Sequence, residues 1–262
     1  MNQAIGFQCT YEWLREEVEG HARRNLGRNS KAIATVEWPL FGLTLIPIRI
    51  DTLSLVWGYV FHFAAIVGTL YALHLDDDTQ LVAALSYAGS AIAAVFAGDL
   101  FCLFVYWELT AITSVFLVWA GGAPQAFRIG MRYLVMQITS GVLLLAGIVV
   151  WYQQSGSLAF GAPGQFGVLS LDDGLGPLLM LIAFGIKAAF PLVHFWLPDA
   201  YPAASPSGTV FLSVFTTKLA VYSLARGFAG TEGLVTVGAV MTVFPLLFAI
   251  WEDDLRRLLA YS

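Results

Sequence analysis

Three ionisable side chains stand near the middle of long apolar runs: Glu108, Lys187 and Lys218. A lone charge at the centre of a bilayer costs at least about 2.5–3.5 kcal/mol on insertion scales, so each must face a partner or water. One acid cannot pair two lysines, and a static ion pair joining helices leaves one lysine without an acid partner. The set therefore reads as an ion or proton pathway. The surroundings of Lys187 sharpen that reading. Pro191 lies four residues on and cannot donate the helical hydrogen bond to the Lys187 carbonyl, which predicts a kink with backbone acceptors beside the ammonium and a water-lined cavity. His194 lies seven residues on, two turns away on the same helical face, and histidine exchanges protons near neutrality, so it is a candidate relay.

The remaining polar residues are weaker candidates. Thr110, Thr113 and Ser114 follow Glu108, while Ser213, Thr216 and Thr217 precede Lys218. Hydroxyls in membrane spans usually satisfy themselves against backbone carbonyls, so a water path is their secondary reading. His62 reads as a packing residue, and Asp76 to Asp78 as a solvated turn. Cys9 and Cys102 form neither a disulfide framework nor a metal site. With no Gly-rich phosphate loop and no His/Cys metal spacing, no cofactor and no metal are expected.

The elements that must position these residues follow from composition. The chain is 58% hydrophobic and 12% charged, where a soluble domain of its 262 residues would carry roughly a quarter charged residues. That excludes an ordinary water-soluble enzyme and a disordered chain. A net charge of −5, with no basic stripe beyond the first 31 positions, excludes nucleic-acid binding. The chain is therefore an all-α, polytopic membrane helix bundle. Residues 1–31 form a charged, solvent-exposed tail, with a short amphipathic helix over 11–19 and no apolar core of the kind a signal peptide needs. Residues 32–50 hold Glu37, Pro39, Pro47 and Arg49, which would tax a lipid-facing helix, and read as an interfacial segment. Residues 51–262 form the transmembrane domain, with seven spans near 52–74, 81–98, 100–120, 129–152, 177–197, 207–227 and 235–251. The connections are short except 153–176, which holds Asp172 and Asp173. If odd-numbered spans run inward, the inner connections hold Arg128, Arg132, Arg256 and Arg257, and the outer ones only Arg49 and Arg226, as the positive-inside rule asks. The basic residues of the tail argue for the opposite orientation.

The run Lys187-Ala-Ala-Phe-Pro-Leu-Val-His-Phe-Trp-Leu-Pro-Asp-Ala-Tyr-Pro-Ala-Ala-Ser-Pro206 resembles the seventh-helix signature of antiporter-like membrane subunits. Thr216-Thr-Lys-Leu-Ala-Val-Tyr-Ser-Leu-Ala-Arg226 and Asp254-Leu-Arg-Arg-Leu-Leu-Ala-Tyr-Ser262 fit the same pattern. The family includes Mrp-type sodium/proton antiporter subunits, proton-pumping subunits of respiratory complex I and the membrane arms of related hydrogenases. The motifs are most similar to the D-type subunits of Mrp antiporters, and the resemblance spans about residues 36–262. It implies a 14-helix fold with two inverted five-helix repeats, of which this chain's spans correspond to helices three to nine, the first half. It also implies that Glu108 is the acid of the fifth helix, Lys187 its seventh-helix partner and Lys218 the eighth-helix lysine that passes protons to a second half-channel. Asp199 matches a loop aspartate of structural or functional role. Many relatives carry a histidine before the eighth-helix lysine; Val210-Phe-Leu-Ser-Val214 has none, which leaves the lateral connection to water and hydroxyls.

The resemblance implies the first two helices and the second repeat as further parts of the fold, so the chain is expected to be one piece of a split subunit or a fragment. The function expected is a partial membrane subunit of a multisubunit monovalent cation (Na+)/proton antiporter in the inner (plasma) membrane. Its partners would be other membrane subunits, protons and the lipid bilayer, with Na+ implied by the resemblance alone, because a path lined by two lysines repels cations. Such a subunit is a transporter rather than an enzyme, unless it serves a redox-driven complex. Two alternatives stand beside it: a proton-pumping membrane subunit of a quinone oxidoreductase or membrane-bound hydrogenase, and a non-transporting scaffold or remnant. The mechanism expected is bistable: Glu108 near Lys187 holds the proton there, and their separation releases it toward Lys218.

Overall fold

The computed structural model describes residues 32–40, 42–122, 124–161, 164–166 and 174–261. The charged tail and its expected short helix, and Asp172 and Asp173 in the long connection, lie outside the described residues.

The segment expected at the interface is a β-hairpin. Strands β1 (Ala34–Leu40) and β2 (Leu43–Ile50) pair antiparallel, with a register irregularity between Val36 and Trp38. Gly42 turns the chain between them at φ 79°, a left-handed value that favours glycine. The hairpin is anchored through its second strand. The Ile46 amide donates to Asp99 Oδ2 at 2.5 Å, and the Gly98 amide donates to the Ile46 carbonyl at 2.9 Å. Only glycine fits at 98, because a Cβ there would meet Ile46 Cγ2 at 2.5 Å.

Nine helices follow among the described residues, several of them started or stopped by identifiable residues. Helix α1 (Thr52–Ala72) opens with Asp51, whose side chain accepts from the Ser54 amide while the Ser54 hydroxyl accepts from the Asp51 amide, a reciprocal cap. Helix α2 (Asp78–Phe96) is capped by Asp77, and α3 (Leu100–Trp119) by Asp99, whose Oδ1 accepts from the Cys102 amide at 2.7 Å. Helix α4 (Ala126–Ser155) ends at Gly156 in the left-handed conformation. Helix α5 (Leu175–Lys187) packs along α4 through glycines: a Cβ at Gly147 would meet the Gly176 carbonyl oxygen at 2.9 Å. Small residues at such seams let backbones approach, which is the main packing device where lipid removes the hydrophobic drive between helices.

The fifth expected span is interrupted more fully than a kink. Helix α5 stops at Lys187, and a separate helix α6 begins at Trp196 and runs to Ala203. Between them Ala189 (φ 62°) and Leu192 (φ 76°) take left-handed conformations, and Pro191 cannot extend a helix. The carbonyls freed at the break find other donors. The Trp196 indole N–H donates to the Ile186 carbonyl at 3.0 Å, and the Phe190 amide to that of Gly185 at 2.8 Å. Helix α7 (Pro206–Gly227) starts from Ser205, whose hydroxyl accepts from the Gly208 amide, with Pro206 in the first turn. Helix α8 (Glu232–Ala249) carries Pro245 and has no fully buried residue, and a short α9 (Leu255–Tyr261) follows.

Among the described residues, six helices (α1 to α4, α7 and α8) are long and apolar enough to cross a membrane, and α5 is a shorter apolar helix. The outward faces are aliphatic and aromatic: on α1 they carry Tyr59, Phe63, Ile66 and Leu70, each more than half exposed. The interior is aromatic, with Phe61, Tyr87 and Phe215 meeting edge to face.

Candidate functional site

Lys187 is the last residue of α5, 1% exposed in the bundle interior. The end of α5 supplies a negative helix terminus for its ammonium. The ammonium donates to the Trp107 carbonyl at 3.0 Å and to the Thr110 hydroxyl at 2.7 Å, both on α3, and lies 4.1 Å over the centroid of the Trp107 ring. Trp107 is itself fixed from two sides: its indole N–H donates to Ser140 on α4 at 3.1 Å, and Ser140 donates to the Ala183 carbonyl of α5 at 2.7 Å. Three helices therefore converge on one cation through neutral groups.

Glu108, next along α3, is half-buried and acts on Lys187 through space. Its Oε1 is buried without a hydrogen-bond partner, and the carboxylate fills the space that a side chain at Gly141 would need. Lys187 thus rests on neutral hydrogen-bond acceptors with the acid alongside, rather than clasped in a direct pair.

The other expected residues are distributed as follows. Lys218 is exposed on α7 and lines two cavities, of about 410 and 470 Å3. His194 shares the first of these cavities with Lys218 and packs against Phe244 and Phe248 of α8. Because α5 ends at Lys187, His194 does not continue the helical face of that lysine; the break hands it to Lys218 instead. Pro191 lies in the break. Asp199, on α6, forms ion pairs with Arg257 at 2.9 Å and Arg132 at 3.6 Å, tying α6 to α9 and to the start of α4. Of the hydroxyls, Thr113 and Ser213 donate to carbonyls of their own helices, while Thr110, Ser114, Thr216 and Thr217 face the interior or the cavities. His62, read from sequence as a packing residue, is exposed on α1 and binds the Gly58 carbonyl one turn back.

Sequence reasoning missed a second charged cluster at the hairpin end. Arg226 in the last turn of α7 is 1% exposed and donates to both Asp51 oxygens, at 2.7 and 2.8 Å, and through Nε to the Tyr222 hydroxyl at 2.8 Å. Arg49 adds a 3.4 Å ion pair to Asp51. Burial alone would raise the Asp51 carboxyl, but the bonds and charge of Arg226, the Ser54 amide and Arg49 together hold it below its usual range. Arg49 and Arg226, read from sequence as charges of outer connections, are spent on this carboxylate. A basic residue flush with the end of an apolar run was the available signal.

The family profile described as NADH:quinone oxidoreductase/Mrp antiporter, TM, matches residues 97–262. Hydrogenase-4 component B of Escherichia coli K12 is 28% identical over 245 residues, covering 86% of this chain and 36% of the relative. A Na(+)/H(+) antiporter subunit of the D type, from Alkalihalophilus pseudofirmus, is 28% identical over 185 residues, covering 64% of this chain and 36% of the relative. A structure of the Mrp complex from Dietzia sp. DQ12-45-1b superposes with a TM-score of 0.75 at 22% identity, covering 92% of this chain and 48% of that one; at this identity the likeness is one of fold. The chain thus spans between about a third and a half of the length of these proteins.

Proposed function

Since the chain belongs to the NADH:quinone oxidoreductase/Mrp antiporter membrane family, we propose that it is a multi-pass membrane subunit, or part of one, of a multisubunit monovalent cation/proton antiporter. In this reading it carries a proton half-channel through Glu108, Lys187 and Lys218, and it sits in the inner (plasma) membrane beside other membrane subunits. The observation that carries the reading is the setting of Lys187: a cation 1% exposed at mid-bundle, held by a carbonyl, a hydroxyl and an indole face, with Glu108 beside it. A lysine placed for stability alone would be joined directly to its acid, because an unpaired charge in the membrane interior is expensive. A lysine that must give up and regain a proton is better served by neutral acceptors, with the acid close enough to bias it. His194, in the cavity of Lys218, is a candidate relay at the far end of the path. Asp199, with two arginine partners, and Pro191, in the break, serve to hold and to interrupt the chain.

Glu108→Gln and Lys187→Ala, each expressed in the assembled complex, are expected to abolish proton-coupled transport in inverted vesicles while the amount of assembled complex stays unchanged. Transport at the parent rate by either variant would overturn the reading. Na+ as the coupled ion is part of the proposal, motivated by the antiporter relatives; a cation series in the same vesicles tests it. The match to a hydrogenase component over 86% of the chain favours a second reading, a proton-translocating subunit of a redox complex. Co-purification of a redox-active partner would select it.

A further inference from the structure

Between Lys187 and α7 runs a row of buried polar side chains that no part of the reading above uses. Helices α3 and α4 are antiparallel neighbours, matched along their length by Trp107 with Ser140 and, two turns on, by Ser114 with Tyr133. That register places Gln137 opposite Thr110, the hydroxyl that holds the Lys187 ammonium. Gln137 is fully buried, and neither its amide oxygen nor its amide nitrogen has a hydrogen-bond partner. A primary amide can make four hydrogen bonds, and leaving such a group bare inside a protein is strongly disfavoured; the usual solution is ordered water. One turn further, the Ser114 and Tyr133 hydroxyls meet at 2.8 Å, both buried. Tyr133 also adjoins the Thr216 hydroxyl of α7, which is hydrogen-bonded to Tyr87. Thr217, the next residue of α7, lines both cavities that hold Lys218.

We propose that protons pass between Lys187 and α7 along this seam, through the Thr110 hydroxyl, water held by the Gln137 amide, and the Ser114–Tyr133 hydroxyl pair to Thr216. The proposal rests on the proton-path reading above and supplies its lateral connection, for which the α7 stretch before Lys218 offers no histidine. The balance is that of a hydrogen-bonded chain: the ammonium gives one proton to the Thr110 oxygen and becomes a neutral amine. Each hydroxyl or water that accepts a proton on one side releases its own on the other, and the last proton passes from Thr216 toward the cavities lined by the next residue, Thr217, and by Lys218. The Thr110 hydroxyl donates to the Trp107 carbonyl at 2.6 Å in this structure, so its O–H must rotate away before it can pass a proton on. Thr110 is therefore the gate of the chain, and Gln137 a positioning residue that holds the water.

Tyr133→Phe removes one hydroxyl, and Gln137→Met keeps the volume while removing both amide groups. In inverted vesicles bearing the assembled complex, each is expected to lower proton transport at least about tenfold with complex levels unchanged. Because the groups act in series, the double variant should transport within about twofold of the slower single. The solvent deuterium isotope effect on the rate should rise in each single variant, which a packing defect would not produce. If Gln137→Met fails to assemble, Ser114→Ala with Tyr133→Phe carries the same test. Parent rates in Tyr133→Phe and Gln137→Met alongside inactive Lys187→Ala would overturn the relay and leave the proton path standing. Parent rates in all three would overturn both. Losses that multiply in the double variant, or an unchanged isotope effect, would also refute the series chain.

Discussion

Removing either partner of the Asp51–Arg226 pair should be among the most destabilising single changes outside the proton path, and the two changes should not be equal. Both side chains are no more than 2% exposed and share two short hydrogen bonds. Breaking a buried pair by deleting one partner costs about 3–5 kcal/mol, mostly the penalty of the charge left behind. Arg226→Ala leaves Asp51 still facing Arg49 and still capping α1, so its loss should fall near the lower end of that range. Asp51→Ala strips Arg226 of its carboxylate and also removes the α1 cap, worth about 1 kcal/mol more, for a total of about 4–6 kcal/mol. The double variant removes both charges and should be less destabilised than the two singles summed, by at least about 1 kcal/mol. Chemical unfolding of the purified protein in detergent, followed by tryptophan fluorescence, reads these differences. An Arg226→Ala variant within about 1 kcal/mol of the parent, well below the buried-pair range, or strict additivity in the double, would refute the reasoning. The pair also fixes an acid limit. A carboxyl held below its unfolded value of about 3.9 contributes stability that is complete above that pH and is lost as pH falls through the folded value. Stability should therefore drop below about pH 4 in the parent, and Asp51→Asn should flatten that part of the profile.

Gly141→Ala would drive a methyl group into the Glu108 carboxylate; the expected outcome is about 1–3 kcal/mol of destabilisation by overpacking, with a loss of proton transport larger than the stability change explains. Melting temperature and vesicle transport, measured on the same preparations, separate the two. Trp196→Phe would leave the Ile186 carbonyl at the break between α5 and α6 with the longer hydrogen bond from the Ala189 amide at 3.2 Å, costing about 0.5–1.5 kcal/mol for the hydrogen bond lost. Thermal unfolding checks it, and a variant as stable as the parent would show that the indole does not hold the break.

The three membrane charges were legible in the sequence because an ionisable residue within an apolar run stands out whatever its neighbours. The lysine helix was legible as distorted from Pro191, yet the size of the distortion was not. A proline removes one donor, whereas the full break also depends on Ala189 and Leu192 adopting left-handed backbone and on Trp196 capping Ile186 from beyond it. Those are tertiary facts. The hairpin was read as an interfacial stretch because Pro39 and Pro47 argue against a helix; its anchoring depends on Asp99, far along the chain. The partner of Arg226 was not legible for the same reason, since its carboxylate lies 175 residues away. Gln137 was visible in its span but carried no signal by itself. What makes it informative is that it is bare inside the fold, opposite the residue that holds Lys187.

The clamp at the hairpin end gives α7 the mechanics of a lever. A rod gripped at one end has a single soft motion, rotation about the grip, and displacement grows with distance from it. At 1.5 Å per residue, Lys218 stands about 12 Å from the Arg226 fulcrum and Pro206 about 30 Å. A tilt of about 5° would then move Lys218 by about 1 Å and the Pro206 end, which has its own contacts to Leu117 and Tyr201, by about 2.6 Å. One ångström separates a hydrogen bond from a gap. A neighbour pressing on the Pro206 end would thus work with mechanical advantage on the α7 contacts at Thr216, opening or closing them without disturbing the Arg226 grip.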